Sequence, residues 1–267
     1  MTPKHSAIGA SSMYRWSQCP GSIRMSEGIH APASKYAAEG TCAHELADAC
    51  IRTGIDPDIY HGKTRSADNM DFVVDDEMVE GVRLYIEAGN ELFDKAAGDV
   101  MHTERKFDLS HLYPGLYGTN DRVIWKPTQR RLIVDDFKYG KGIPVEVKGN
   151  KQLMYYGLGA VETLKLPVME IWNRIIQPRC PHADGPIRVE KMNVLDLLDF
   201  KGELIQYAAT HFGFEEDLMQ RAGYADRERH VKARRDLIEQ VYHTSRSSSW
   251  PAIPRSPWSC SISCATG

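Results

Sequence analysis

Two hydrophobic periods divide the chain. A 3.6-residue spacing begins after Ser34, a good helix cap. It runs through KYAAEGTCAHELADACIRTG and predicts a helix over 35–54, closed by Gly54. Residues 55–75, rich in Asp, Gly and Pro, read as a loop. A second helix is predicted in DDEMVEGVRLYIEAGNELFDKAAG, residues 75–98, with Met78, Val82, Tyr85 and Leu92 on one apolar stripe. The pattern then shortens to strands: HTERKFDL, TNDRVIWK and RRLIVDDFKYG. The last two are joined by Pro127-Thr128-Gln129, a connection suited to a hairpin. After Gly149 a helix in NKQLMYYGLGAVETL leads to the strand VMEIWNRIIQP, a shorter strand near IRVEKM, and a helix over about 193–211.

The order helix, helix, three strands, helix, strand predicts an α/β (α+β) domain built on a central mixed sheet flanked by helices. It occupies residues 1–213, followed by a charged helical extension over 214–243 that includes YADRERHVKARRDLIEQ. Residues 244–267 are Ser/Pro-rich and aperiodic, and are expected to be disordered. No internal repeat is visible.

Bulk composition narrows the class. The chain has 267 residues, 42% hydrophobic and 26% charged, ordinary values for a globular protein. No apolar run approaches the roughly 20 residues that span a bilayer, and MTPKHSAIGASSMYRW lacks the apolar stretch of a secretory signal. We therefore expect a cytoplasmic protein with no membrane partner. Six cysteines fit no dense disulfide framework. Formal net charge is −3, yet residues 122–151 hold eight Lys/Arg against three acids, a local +5. Such a concentration is the expected footprint of a phosphate-backbone ligand, although a solvated basic face would read the same way.

The hairpin carries the chemistry. Residues two apart in a strand share a face, so Asp136 and Lys138 point together while Asp135 and Phe137 point away. Asp121, on the facing strand, shares a face with Val123 and Trp125. A carboxylate there is costly to bury unless paired or metal-bound. Two carboxylates and an ammonium on neighbouring strands meet the needs of metal-assisted phosphodiester hydrolysis. Hard oxygens hold Mg²⁺ or Mn²⁺, which polarises the phosphate and lowers the pKa of a water. The lysine orients that water and offsets charge growing on phosphoryl oxygens. D-x-K alone is common by chance; GTNDRV followed by LIVDDFKYGKG is far longer.

Those two segments resemble motifs II and III of the RecB-like branch of the PD-(D/E)XK nucleases, G-x-x-D-R and D-[YF]-K-[TY]-G. The resemblance implies a restriction-endonuclease-like core, with Asp121 and Asp136 as metal ligands, the Phe137 carbonyl as a third oxygen ligand, and Lys138 as the catalytic lysine. The branch's helical Q-L-x-x-Y motif matches at Gln152 and Tyr156, one helical turn apart, where they would contact DNA or buttress the lysine. His44, in EGTCAHEL, corresponds to a histidine that caps the metal. Alone, on an amphipathic helix, it would more often be a satisfied core or boundary histidine. Glu104 and Glu39 are candidates for supporting carboxylates. The N-terminal phrase SSMYRWSQCPGS is similar to that of a phage-encoded, uncharacterised set of these nucleases, and the likeness spans roughly residues 6–210.

It implies a Mg²⁺/Mn²⁺-dependent deoxyribonuclease, an exonuclease acting in phage or mobile-element DNA processing, with DNA and phage recombination proteins as partners. Some relatives bind a [4Fe–4S] cluster through one N-terminal and three C-terminal cysteines. Cys19 matches the first, but Cys260 and Cys264 supply only two of three, so no intact cluster is expected. Two other classes compete: a catalytically silent DNA-binding or recombination accessory protein on the same fold, and a metal-dependent hydrolase of a non-nucleic substrate. Intact Asp121, Asp136 and Lys138 speak against the first, and the +5 window against the second.

Overall fold

A computed structural model describes residues 6, 8–19, 22–26, 28–29, 32–229 and 231–232. Its helices are α1 (Met13–Gln18), α2 (Ser22–Met25), α3 (Lys35–Thr53), α4 (Asp76–Asn90), α5 (Lys151–Leu164) and α6 (Val194–Arg221). The strands are β1 (Thr64–Ala67), β2 (Met70–Val73), β3 (Val100–Asp108), β4 (Tyr117–Lys126), β5 (Arg131–Phe137), β6 (Glu170–Ile176) and β7 (Ile187–Asn193). The last five form one sheet in the order β3-β4-β5-β6-β7. All its pairings are antiparallel except β5–β6, which is parallel and crossed by α5. This is the mixed α/β sheet flanked by helices that the sequence predicts.

Period-2 alternation splits the sheet between two cores. Val123 and Trp125 of β4 and Leu132 and Val134 of β5 face α5, α6 and the N-terminal segment. The opposite face, with Phe137 and Ile176, packs under α3, α4 and the small β1–β2 hairpin. α3 begins and ends where its capping residues require. Ser34 accepts the N–H of Ala37, and Gly54 closes the helix at φ 70°.

That second face also buries charge. Asp135, fully buried, accepts from Arg122 Nε at 2.6 Å and lies 2.5 Å from its Nη2; Arg174 donates to it through Nε at 2.6 Å and Nη2 at 2.7 Å. Arg122 also donates to the Tyr85 carbonyl and stacks on that ring, and Arg174 donates to the Ala88 carbonyl. The triad thus ties β4, β5 and β6 to α4. Gly89 makes room for it: a Cβ there would lie 2.2 Å from the Arg122 guanidinium.

Several expectations are corrected. Residues 55–75 are not simply a loop. They contain a 3-10 turn at Pro57–Tyr60 and the β1–β2 hairpin, which turns on Asp68 and Asn69 at φ 50° and 61°. Strands of only four residues are too short for an alternation to stand out from the surrounding loop, although Asp-Asn suits a turn needing two left-handed residues. α4 stops at Asn90 rather than running to residue 98, so Leu92 lies beyond it. Gly89 and Asn90 favour helix weakly, and Asp94 then captures the N–H groups of Ala96 and Ala97 in a separate 3-10 turn. α6 continues ten residues past the expected end at 211.

The +5 window is not one basic surface. Arg122 and Lys126 are buried and paired with Asp135 and Asp99, and Arg131, Lys141 and Lys151 pair with Glu170, Glu77 and Glu203. Counting charge along the chain could not see acids supplied by other elements. Past Arg221, residues 227–229 and 231–232 are helical. Residues 222–226 are turn or irregular, and residues 230 and 233–243 of the expected extension, the Ser/Pro-rich tail, Cys260 and Cys264 lie outside the described residues. Among the described residues no helix is long and apolar enough to cross a membrane.

Candidate active site

Strand register sets three carboxylates abreast. Thr103 pairs with Arg122, and Arg122 with Asp135. One residue further along, Glu104 of β3, Asp121 of β4 and Asp136 of β5 lie side by side. The TNDR segment divides its work residue by residue. Asn120, fully buried, donates from Nδ2 to the Asp135 carbonyl at 2.9 Å, holding β4 to β5 beside the site. Asp121 points into the cleft, and Arg122 pins the far face. Gly118, just before, leaves room for the Tyr156 ring, which a Cβ would approach to 3.2 Å. Glu104 sits at φ 45°, a left-handed conformation uncommon for a residue with a side chain and concentrated where function demands strain.

α3 brings His44 down onto this row. Its Nδ1 lies 3.3 Å from Asp121 Oδ1 and 3.9 Å from Glu104 Oε1. One ligand atom from each of His44, Glu104 and Asp121 lies within 4.8 Å of the others. Asp121 Oδ2 accepts the Phe137 N–H at 2.6 Å, which fixes the carboxylate's orientation. The His44 ring packs on Phe137, and Phe137 stacks on Tyr85 with centroids 4.7 Å apart. Below, Lys138 Nζ lies 2.8 Å from Asp136 Oδ2 and 3.2 Å from Gln152 Oε1. Gln152 Nε2 in turn donates to the Tyr156 hydroxyl at 3.3 Å.

Electrostatics follow from crowding acids and bases in a poorly solvated pocket. Burial presses the His44 imidazole down, but Asp121, then Glu104 and Asp136, raise it to about 9. Burial pushes Asp121 up, yet His44 and Lys138 hold it below its ordinary value. Asp136 rises: burial, reinforced by the like charge of Asp121, outweighs Lys138. Burial lowers Lys138, but Asp136 and Asp121 more than reverse it, so its ammonium stays charged.

The donor chemistry fits a divalent cation. Two carboxylates and an imidazole can hold a divalent cation, and ligand atoms so close need little movement to surround one ion. Of the predicted residues, His44, Asp121, Asp136, Phe137, Lys138, Gln152 and Tyr156 all line one cleft of about 800 Å³. The geometry differs from the predicted ligand set in weight. Glu104 stands with His44 and Asp121, while Asp136 is turned to Lys138. The signal for Glu104 was present only as strand register. Glu39 lies outside the cluster and pairs with Arg179 at 3.0 Å. Cys19 is an exposed free thiol.

A family model described as "Protein of unknown function (DUF2800)" matches residues 5–247. Among solved structures, one described as "Crystal Structure of LHK-Exo in complex with dAMP" is similar to this chain at 16% identity and TM-score 0.32. The match covers 68% of this chain and 92% of that one.

Proposed function

Because the chain belongs to the DUF2800 family, a family of unknown function, its chemistry must be read from the cleft, and we propose that it is a divalent-metal-dependent deoxyribonuclease. One observation carries this reading. Four separate sequence segments, α3, β3, β4 and β5 with the residue after it, bring an imidazole, three carboxylates and a charged lysine to one pocket.

In this reading His44, Asp121 and Glu104 hold the cation, with Asp136 and the Phe137 carbonyl as further oxygen donors. When bound, the ion supplies Lewis-acid polarisation of a phosphoryl oxygen and acidifies a water. Lys138, kept protonated by two carboxylates, donates to the attacking water or to the phosphoryl oxygens as they gain charge. Gln152 positions the ammonium from its free side, and Tyr156 positions Gln152. Phe137 holds Asp121 through its N–H, so the carboxylate need not reorganise during the reaction.

The test is direct. Purified protein is incubated with end-labelled single- and double-stranded DNA in Mg²⁺, Mn²⁺ or EDTA. Cleavage in the metal arms, lost in EDTA and in Asp121→Asn, is the expected result. Intact DNA in every arm overturns the reading. Product ladders from the two labelled ends distinguish exonuclease from endonuclease action.

A further inference from the structure

The wall of the cleft contributed by α3 extends well beyond His44. Tyr36, Gly40 and His44 recur every four residues and so form one stripe, and all three line the cleft. Two features of this stripe have no explanation in the packing. Tyr36 lines the cleft yet is 70% exposed, a large aromatic ring presented to solvent. Gly40 stands in the interior of a 19-residue capped helix, where glycine is unfavourable by about 1 kcal/mol relative to alanine. Its neighbours do not require it, because a Cβ built there meets nothing within 4 Å. Gly89 and Gly159 differ: a Cβ at either would clash, with Arg122 and Phe107 respectively. A bare helical backbone facing an open cleft is a place where a ligand passes closely. Tyr117 also lines the cleft, with Lys106 Nζ 3.9 Å from the centre of its ring.

We propose that this stripe is a nucleotide-binding subsite for an unpaired strand. One base stacks on Tyr36, the sugar–phosphate backbone crosses Gly40, and the phosphate to be cut reaches His44 and the carboxylates. The proposal rests on the nuclease reading and adds the form of the substrate. From Tyr36 to His44 is eight residues, about 12 Å along the helix, so the stacked base lies within about four nucleotides of the cut at ~3.4 Å each. The cleft volume, about 800 Å³, falls in the range of small-molecule sites, room for a few unpaired nucleotides. An exposed aromatic platform on which a base can stack is the usual means of gripping single strands without reading sequence.

The experiment uses the full chain, a fluorescein-labelled single-stranded oligothymidylate, and Ca²⁺ for binding or Mn²⁺ for cleavage. Tyr36→Ala should weaken binding about 5- to 150-fold, the value of one stacked base, while Tyr36→Phe, which keeps the ring, restores most of it. Gly40→Ala should raise the melting temperature by about 2–4 °C through helix propensity and yet raise KM, with Gly40→Leu raising KM further. A merely structural glycine would not move stability and KM in these opposing senses. Unchanged binding by Tyr36→Ala, an unchanged KM in both Gly40 variants, or equal binding of a blunt hairpin duplex overturns the subsite while leaving the nuclease reading intact. Wild-type protein that neither binds nor cleaves the oligomer but cuts duplex DNA overturns the subsite alone, and wild-type protein that leaves both forms of DNA intact overturns both.

Discussion

Replacing Asp135 by Asn removes one negative charge from the deepest part of the sheet. The wild-type carboxylate is fully buried between Arg122 and Arg174, whose side chains are only 1% and 4% exposed. It receives three N–H···O hydrogen bonds of 2.6–2.7 Å and a fourth guanidinium nitrogen at 2.5 Å. Asparagine keeps the shape but leaves two guanidinium groups facing each other without an anion. Breaking a buried ion pair from one side costs about 3–5 kcal/mol, a large share of the ~5–15 kcal/mol that holds a domain folded. At about 2–4 °C per kcal/mol for a chain of this size, the melting temperature should fall by about 6–20 °C. Calorimetry at pH 7 measures it.

The pH dependence of this effect has a definite sign. Burial pushes the Asp135 carboxyl up, but Arg122 and Arg174 bring it below its ordinary value. A carboxylate lowered in the folded state contributes stability above its unfolded pKa of about 4, and loses it as pH falls through the folded value. The gap between wild type and Asp135→Asn should therefore be full at pH 7 and narrow below about pH 4. A melting temperature within ~2 °C of wild type at pH 7 would refute the view that this triad anchors β4–β6 under the site.

Lys138→Ala should cut cleavage by about 10²–10³ while leaving DNA binding in Ca²⁺ near normal, since the ammonium acts on water and phosphate; wild-type turnover in single-turnover assays would remove its assigned role. Glu104→Gln should weaken Mn²⁺ binding by about tenfold or more, read by titration calorimetry, and unchanged affinity would return Glu104 to a bystander. His44, raised to about 9 without metal, carries a proton at neutral pH that a metal must displace. In the metal-free protein its pairing stabilises the fold fully below the unfolded pKa of ~6.5 and is lost as pH rises through about 9. Mn²⁺ binding should thus release about one proton at pH 7 and tighten up to about pH 9. Titrations in buffers of different ionisation heat count that proton, and pH-independent affinity would exclude His44 as a ligand.

Much of this protein is written locally. The alternation in TNDRVIWK and LIVDDF assigned Asp121 and Asp136 to one face and Asp135 and Phe137 to the other, and the register agrees. Ser34 and Gly54 bounded α3 because caps act on their own helix. The four-residue spacing of Gln152 and Tyr156 needed only helical geometry, and they are hydrogen-bonded. Such features depend on neighbours a few residues away, which sequence displays directly.

What the tertiary structure decided involves partners distant in the chain. Glu104 joins His44 and Asp121 only because β3 pairs with β4 in one register and α3 crosses above them. Arg122 and Lys126 counted as surface charge until Asp135 and Asp99 met them in the interior. Gly89 looked like a weak point in a helix, and it is the space into which Arg122 fits. Period and propensity assign a residue to a face; which group it meets there depends on how faces from remote segments are stacked, and only the assembled fold contains that information.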